Sequence, residues 1–356
     1  MNNKIIRGLS SLLMVLSLQS VVAQDSLRFY AANDPNIQYT GRIDFSNPAL
    51  PRFWQPGVYI NAKFSGNTCE VILNDEVLWG KNHNYIEVVI DNSAMRLQTT
   101  KKCDTIVING LNDGTHTISI VKNTEANIGY LELVGIRCKE LLTPEGRPLR
   151  KIEFYGNSIT CGAGADQSAV PCGKGVWHDQ HNAYLAYAAV TARTLYAQYH
   201  LSSVSGIGLM HSCCKMDIIM PQVYDKVSMR NDTIVWNFNK YQPDVVTVCL
   251  GQNDGVQDSK TFIKNYISFL QTLRKHYPGA TIICLSSPMA DEKLRNFLSN
   301  SMDEVLKTLK ETGDKKIYSY IFSKQYISGC DYHPDIKEHR EIAALLTDFI
   351  RKKMNW

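Results

Sequence analysis

From Gln24 to about Thr143, apolar and polar residues alternate over short runs. Residues 58–64, 70–73, 85–90, 105–108, 115–121 and 130–136 carry apolar side chains at every second position or in brief β-branched blocks. A period of two puts alternate side chains on one face, the mark of a half-buried strand. Turn-forming residues separate these runs: Pro56-Gly57, Ser65-Gly66-Asn67, Asn74-Asp75, Asn109-Gly110 and Asp113-Gly114. Many short strands, with no helix of convincing length between them, predict a β-sandwich over residues 24–145.

The rhythm changes at Arg150. Short apolar blocks at 151–155, 200–204, 244–250, 280–286 and 316–321 read as buried strands. Longer stretches at 183–198, 260–276, 291–312 and 335–353 have helical spacing. Phe262, Ile263, Tyr266, Ile267, Leu270 and Leu273 form one apolar stripe, with Asp258 or Ser259 to cap it and Pro278-Gly279 to end it. Strands alternating with helices predict a parallel sheet flanked by helices over residues 150–356. The join falls in the turn-rich stretch 142–148.

The first 23 residues have a third pattern. Lys4 and Arg7 precede an apolar run, Leu9 to Leu18, that is too short to span a bilayer. Val21-Val22-Ala23 supplies small residues for cleavage before Gln24. This is the pattern of a secretory signal peptide, so the chain is expected to be exported, to the periplasm or the medium. No later run is apolar enough for a membrane span.

Composition narrows the partners. The formal net charge is +4, and +2 once Lys4 and Arg7 are left out. With no basic run, nucleic acid is an unsuitable partner. Export permits disulfides among the ten cysteines. Cys249 and Cys284 lie in apolar blocks and read as buried thiols. Cys69 with Cys103 or Cys138, Cys161 with Cys172, and Cys213-Cys214 with Cys330 are the pairings open on sequence. There is no Cys-x-x-Cys and no His pair at i, i+4, so neither a metal nor another cofactor is expected.

In a parallel sheet, ligands gather outside the carboxyl ends of the strands. The residues just after the predicted strands are therefore the informative ones. They are Gly156-Asn157-Ser158, Ser205-Gly206-Ile207-Gly208, Gly251-Gln252-Asn253-Asp254 and Gly329-Cys330-Asp331-Tyr332-His333-Pro334. A serine between a strand and a helix is where hydrolases expose a nucleophile. Serine is a poor nucleophile until a base takes its proton, and His333 is the candidate base. The N–H groups of Ser158 and Gly206 and the amide of Asn253 are candidates for an oxyanion site. Asp254 is read as a helix cap.

Taken in order, Gly-x-Ser, a later glycine, Gly-x-Asn-Asp and Asp-x-His-Pro resemble the SGNH or GDSL hydrolase superfamily. Ser158, Gly206, Asn253 and His333 are the matching residues, and Asn157 stands where the short motif usually has aspartate. Tyr39-Thr40-Gly41-Arg42, Pro56-Gly57 and Phe64-Ser65-Gly66 look like the N-terminal jelly-roll of carbohydrate esterase family 2. The resemblance implies a secreted, metal-free acetyl esterase acting on acetylated plant polysaccharides such as xylan or mannan. Many superfamily members place an acid three residues before the histidine, and Cys330 occupies that position here. Either Ser158 and His333 act as a dyad with a backbone carbonyl orienting the ring, or Asp331 supplies the acid. Tyr332 and Trp177 are expected to line the substrate cleft. Two other readings are a lipase-like esterase for longer acyl chains and a polysaccharide-binding protein without catalysis.

Overall fold

A computed structural model describes residues 27–230 and 234–356. The expected signal peptide, residues 1–23, lies outside the described residues.

The amino-terminal half is built from ten antiparallel strands. They are β1 (Arg28–Ala31), β2 (Gln38–Thr40), β3 (Ile43–Asp44), β4 (Arg52–Phe53), β5 (Tyr59–Asp75), β6 (Tyr85–Ile90), β7 (Ser93–Gln98), β8 (Cys103–Ile108), β9 (Thr115–Lys122) and β10 (Leu131–Leu142). Their main order is β3-β4-β10-β5-β9-β6-β7, with β1 on β10 and β2 and β8 on β5. The alternation seen in sequence is kept: Ile60, Ala62, Phe64, Ile118, Ile120, Val88 and Ile90 all point into one core.

The sequence reading lacks the short strands β1 to β4, and it differs in two further details. Residues 58–64 and 70–73 are one strand of 17 residues, not two joined by a turn at Ser65-Gly66-Asn67. Gly66 has φ +105°, and the pairing with β10 shifts register between Cys138 and Glu140. The glycine therefore bends a continuous strand at a bulge rather than ending it. Beyond the bend β5 leaves β9 and pairs with β8. Strand β7 was not expected, because its Ser93-Ala94-Met95-Arg96-Leu97-Gln98 side chains are mostly exposed and show no alternation.

The carboxyl-terminal half carries a five-stranded parallel sheet in the order β12-β11-β13-β14-β15. These strands are β11 (Arg150–Gly156), β12 (Ala197–Ser203), β13 (Val245–Cys249), β14 (Thr281–Leu285) and β15 (Ile317–Tyr320). Among the described residues six α-helices accompany them: α1 (Ser158–Cys161), α2 (Tyr187–Thr194), α3 (Met220–Val223), α4 (Ser259–His276), α5 (Glu292–Glu311) and α6 (Ile336–Met354). Strands β13 and β14 are buried along their whole length, as helices on both faces require. Tyr266, Leu270, Leu298 and Met302 of α4 and α5 pack on one face. Tyr187, Ala188, Ala192, Ile342 and Leu346 of α2 and α6 pack on the other. Helix α2 is shorter than predicted, and β12 starts at Ala197 rather than near 200.

The two halves share a buried polar joint. Arg42, 1% exposed, leaves the antiparallel sheet and reaches the fully buried Glu153 of β11 at 2.7 Å. Tyr155 Oη accepts from the same guanidinium at 2.9 Å, and Ser202 and Tyr277 donate to the carboxylate. Burying one charge alone would cost several kcal/mol, so this ion pair and its hydroxyl partners must form together. The joint fixes the amino-terminal half against the sheet that carries the candidate site.

Candidate active site

Strand β11 ends at Gly156, and the chain turns at once into α1. The turn is tight. A side-chain carbon at Gly156 would lie 2.0 Å from Thr160 Oγ1, and one at Gly162 would lie 2.3 Å from the Asn182 carbonyl. Asn157 Oδ1 accepts from the Ile159 N–H at 3.2 Å and so caps α1. Ser158 is left at the carboxyl end of the sheet, 8% exposed.

His333 arrives from the loop between β15 and α6. Its Nε2 lies 2.8 Å from Ser158 Oγ. Its Nδ1 faces two backbone carbonyls, Asp331 O at 3.0 Å and Cys330 O at 3.3 Å. Carbonyls can only accept, so Nδ1 carries the proton and Nε2 presents a lone pair to the serine hydroxyl. Burial pulls the His333 pKa below the ordinary 6.5, and nearby His181 pulls the same way, against the carbonyls of Asp331 and Cys330. The imidazole is therefore held neutral, in the form that takes a proton.

Asp331 was the alternative third member. Its backbone carbonyl, not its carboxylate, meets the ring, and among the described residues no bond joins the carboxylate to His333. The reason is conformational. Asp331 and Tyr332 both take left-handed backbone angles, φ +51° and +57°, and the chain thereby folds the carbonyls back over Nδ1. The exposed side chain points away from the core, and Tyr332 is 75% exposed. Trp177 is 48% exposed and packs edge-on against His181 at 4.3 Å.

The histidine loop is pinned twice. Cys330 is disulfide-bonded to Cys172, and its N–H donates to the Gly164 carbonyl at 2.9 Å. Cys213 and Cys214 bond to each other. Both bridges correct the pairings considered from sequence: Cys172 takes Cys330 instead of Cys161, and the 213–214 pair is closed on itself. Cys69, Cys103, Cys138 and Cys161 are free thiols, as are Cys249 and Cys284.

The other two strand-end loops meet each other at the carboxyl end of the sheet, where β12 and β13 flank β11. Gly206 has φ +83°, and a side-chain carbon there would sit 3.0 Å from Cys213 Sγ. Its N–H donates to no acceptor among the described residues. Asn253 Nδ2 donates one hydrogen to the Ile207 carbonyl at 2.8 Å, which ties the two loops together and leaves the second hydrogen. Asp254 is not the helix cap expected from sequence. It accepts from the N–H groups of Leu209, Met210 and His211 at 2.9, 2.6 and 3.0 Å, while Asp258 caps α4. The loop after Gly206 leaves three backbone donors unpaired, and a buried carboxylate satisfies them.

One residue of the site comes from the amino-terminal half. Glu125 is fully buried, and its Oε2 accepts from the Ser205 N–H at 2.6 Å. Cys161 Sγ donates to it at 3.6 Å, and His181 Nε2 lies 3.6 Å from Oε1. Burial alone would raise the Glu125 pKa, yet His181 and the Ser205 donors bring it below the ordinary value, so the group is ionised. Nothing local in Asn123-Thr124-Glu125-Ala126 marks it, and its partner is 80 residues away.

A family model described as "Carbohydrate esterase 2 N-terminal" matches residues 39–144, and a "GDSL-like Lipase/Acylhydrolase family" model matches 154–321. The solved structure of an active-site mutant of a family two carbohydrate esterase from Clostridium thermocellum is 30% identical to this chain. It covers 91% of this chain and 100% of its own, with a TM-score of 0.80. The chain belongs to carbohydrate esterase family 2. A family two esterase structure from Cellvibrio japonicus superposes with a TM-score of 0.84, at 27% identity, over 93% of this chain and 99% of that one. Among characterised relatives, "Cellulase/esterase CelE" of Acetivibrio thermocellus is 31% identical over 91% of this chain. This family 2 esterase spans 40% of that protein's length. An "Acetylxylan esterase / glucomannan deacetylase" of Cellvibrio japonicus is 27% identical over 92% of this chain and 91% of its own. This family 2 chain is thus a carboxylic ester hydrolase with its two family regions on two sheets. Among the described residues no helix is long and apolar enough to cross a membrane.

Proposed function

We propose that this protein is an exported O-acetyl esterase that deacetylates polysaccharides of the xylan or mannan type through an acyl-serine. The observation that carries the reading is the 2.8 Å contact of Ser158 Oγ with a His333 whose other nitrogen rests on backbone carbonyls. The Cellvibrio japonicus relatives, each an acetylxylan esterase / glucomannan deacetylase, supply the substrate class.

Ser158 Oγ attacks the acetyl carbonyl while His333 Nε2 takes the hydroxyl proton. The oxyanion rests on the Ser158 and Gly206 N–H groups and the remaining Asn253 amide hydrogen. Collapse expels the sugar oxygen, which leaves as a hydroxyl with the proton from His333. Water, deprotonated by the same imidazole, then attacks the acyl-serine and releases acetate. Losing one oxyanion donor costs about 3–4 kcal/mol of transition-state stabilisation in such sites. Glu125 acts through Ser205 to hold Gly206 in place, and Asp254 holds the far side of that loop. Tyr332 and Trp177, both exposed near the pair, flank the sugar. The reading also includes residues 1–23 as a signal peptide, residues 24–145 as a jelly-roll domain and 150–356 as the catalytic domain.

The test is acetate release from acetylated xylan and acetylated glucomannan by the mature protein, against Ser158→Ala. Release by the first and loss of at least ~10⁴-fold in the second is expected, because nucleophile removal in serine hydrolases costs that much or more. Full activity in Ser158→Ala sinks the mechanism. A rate that climbs with acyl length along an aryl ester series sinks the acetyl specificity.

A further inference from the structure

The outer face of the antiparallel sheet is partly roofed by the catalytic half. On β5, Tyr59 and Asn61 point outward, in register with Val121 and Ser119 of β9, while Ile60 and Ala62 point into the core. The end of α2 and the start of β12 stand over this face and enclose a cleft of about 420 Å³. That volume falls in the ~300–1,000 Å³ range of small-molecule sites. The cleft lies by Ala197, at the amino end of β12. Gly206 follows its carboxyl end at Ser203, so about 20 Å of strand separates the cleft from the Ser158 end.

Four tyrosines line it, Tyr59, Tyr184, Tyr196 and Tyr199. Tyr196 is the anomaly. It follows α2 at the position where a helix usually ends in a left-handed glycine, and it has φ +51° with 71% of its surface exposed. A bulky side chain is disfavoured in that conformation, and an exposed one repays nothing by packing. Neither backbone geometry nor the core calls for a tyrosine there. Tyr59 and Tyr199 lie 4.9 Å apart at a 36° tilt, and the Arg193 guanidinium sits 3.7 Å over Tyr184. Asn61 Oδ1 accepts from Ser119, which leaves the amide N–H₂ with no acceptor among the described residues.

This is the chemistry of a sugar site. The open ring of Tyr196 can cover the C–H face of a pyranose, with buried Tyr199 backing Tyr59 and Arg193 covering Tyr184, and planar amide and guanidinium groups at the edge meet its equatorial hydroxyls. Charge argues for a neutral ligand. The lining holds one cation, Arg193, and one carboxylate, Asp91, which already accepts from His116 and Thr117.

We propose that this cleft is a second glycan site, which holds an unacetylated stretch of a neutral polysaccharide while Ser158 works on another part. The identity of the ligand rests on the proposed esterase function; the site does not depend on Ser158.

The experiment separates the two. The protein is first treated with a serine-reactive phosphonate to block Ser158, and its affinity for xylohexaose and mannohexaose is measured by calorimetry. The phosphonylated wild type is expected to bind at least one hexasaccharide. Tyr196→Gly, which suits the left-handed position and so keeps the fold, is expected to weaken that binding at least fivefold. Its aryl acetate hydrolysis and melting temperature should be no lower than wild type. Loss of all hexasaccharide binding on phosphonylation, or unchanged affinity in Tyr196→Gly, overturns the second site. A protein that binds in this way yet releases no acetate from any ester overturns the esterase reading alone.

Discussion

Ser158 and His333 meet at 2.8 Å, but the loops that deliver them are built differently. The serine loop is packed. Gly156 and Gly162 have no room for a side chain, and Ser158, Ile159, Thr160 and Cys161 are all buried. The histidine loop is exposed and tethered. Asp331 and Tyr332 face solvent in left-handed conformations, and the segment is held by the Cys172–Cys330 bridge and a hydrogen bond to Gly164. Packing places the proposed nucleophile, and a cross-link with two carbonyls places the proposed base. A defect on the serine side should therefore act on the chemistry directly, and one on the histidine side should act through mobility.

Among the residues that support the Ser158–His333 pair, the largest effect is expected on the serine side, at Glu125. Removing its carboxylate frees the Ser205 N–H, and with it the neighbouring Gly206 donor. A misplacement of about 1 Å at such a distance from the chemistry can cost on the order of 10²-fold. Glu125→Ala should lower kcat by that order with KM nearly unchanged, and Glu125→Gln, which still offers an acceptor oxygen, should recover most of it. If both variants keep wild-type kcat and lose only melting temperature, Glu125 supports the fold and not the oxyanion loop.

The histidine side should respond more gently. Cys172→Ser opens a loop of 158 residues. Bridges of this kind contribute about 2–4 kcal/mol to stability. Thermal unfolding should shift down accordingly, and kcat should drop several-fold because Nδ1 loses its fixed carbonyl. A wild-type kcat in folded Cys172→Ser would show that the Gly164 hydrogen bond alone holds the loop.

The same contrast explains what could be read from sequence. Ser158, Gly206, Asn253 and His333 each follow an apolar strand, so a local pattern revealed them and the parallel sheet brought their loops to one end. The supports were not local. The Glu125 bond to Ser205 joins the two sheets, and the Cys172–Cys330 pairing is one of many that spacing allows. Asp254 looked like a cap because aspartate before a helix usually is one; only the fold of 206–211 shows the three donors it satisfies. The bend at Gly66 was read as a turn because glycine serves both, and the partner strand decides which. The helix-flanked sheet and the long alternating strands were legible, since burial imposes their periods directly; the short β1 to β4 and the exposed β7 were not.

The smallest effect is expected at Asp331, and it is the sharpest test of how His333 is oriented. Asn tolerates the left-handed backbone that position 331 requires, so Asp331→Asn removes the charge without moving the carbonyl. If the carbonyl orients the ring, activity at neutral pH should stay within about twofold, the ±0.5 kcal/mol usual for a surface change. Loss of a working triad acid costs far more, on the order of 10⁴-fold in kcat. The pH profile adds a sign. His333 must be neutral to accept the serine proton, and burial with nearby His181 holds its pKa below 6.5. The acid limb of kcat/KM should therefore lie below pH 6.5 in the wild type. The Asp331 charge favours the protonated ring, so Asp331→Asn should move that limb further toward acid. A large loss of kcat, together with a much larger shift of the limb toward acid, would mean that the carboxylate swings onto Nδ1 during turnover and that Ser158 works in a triad after all.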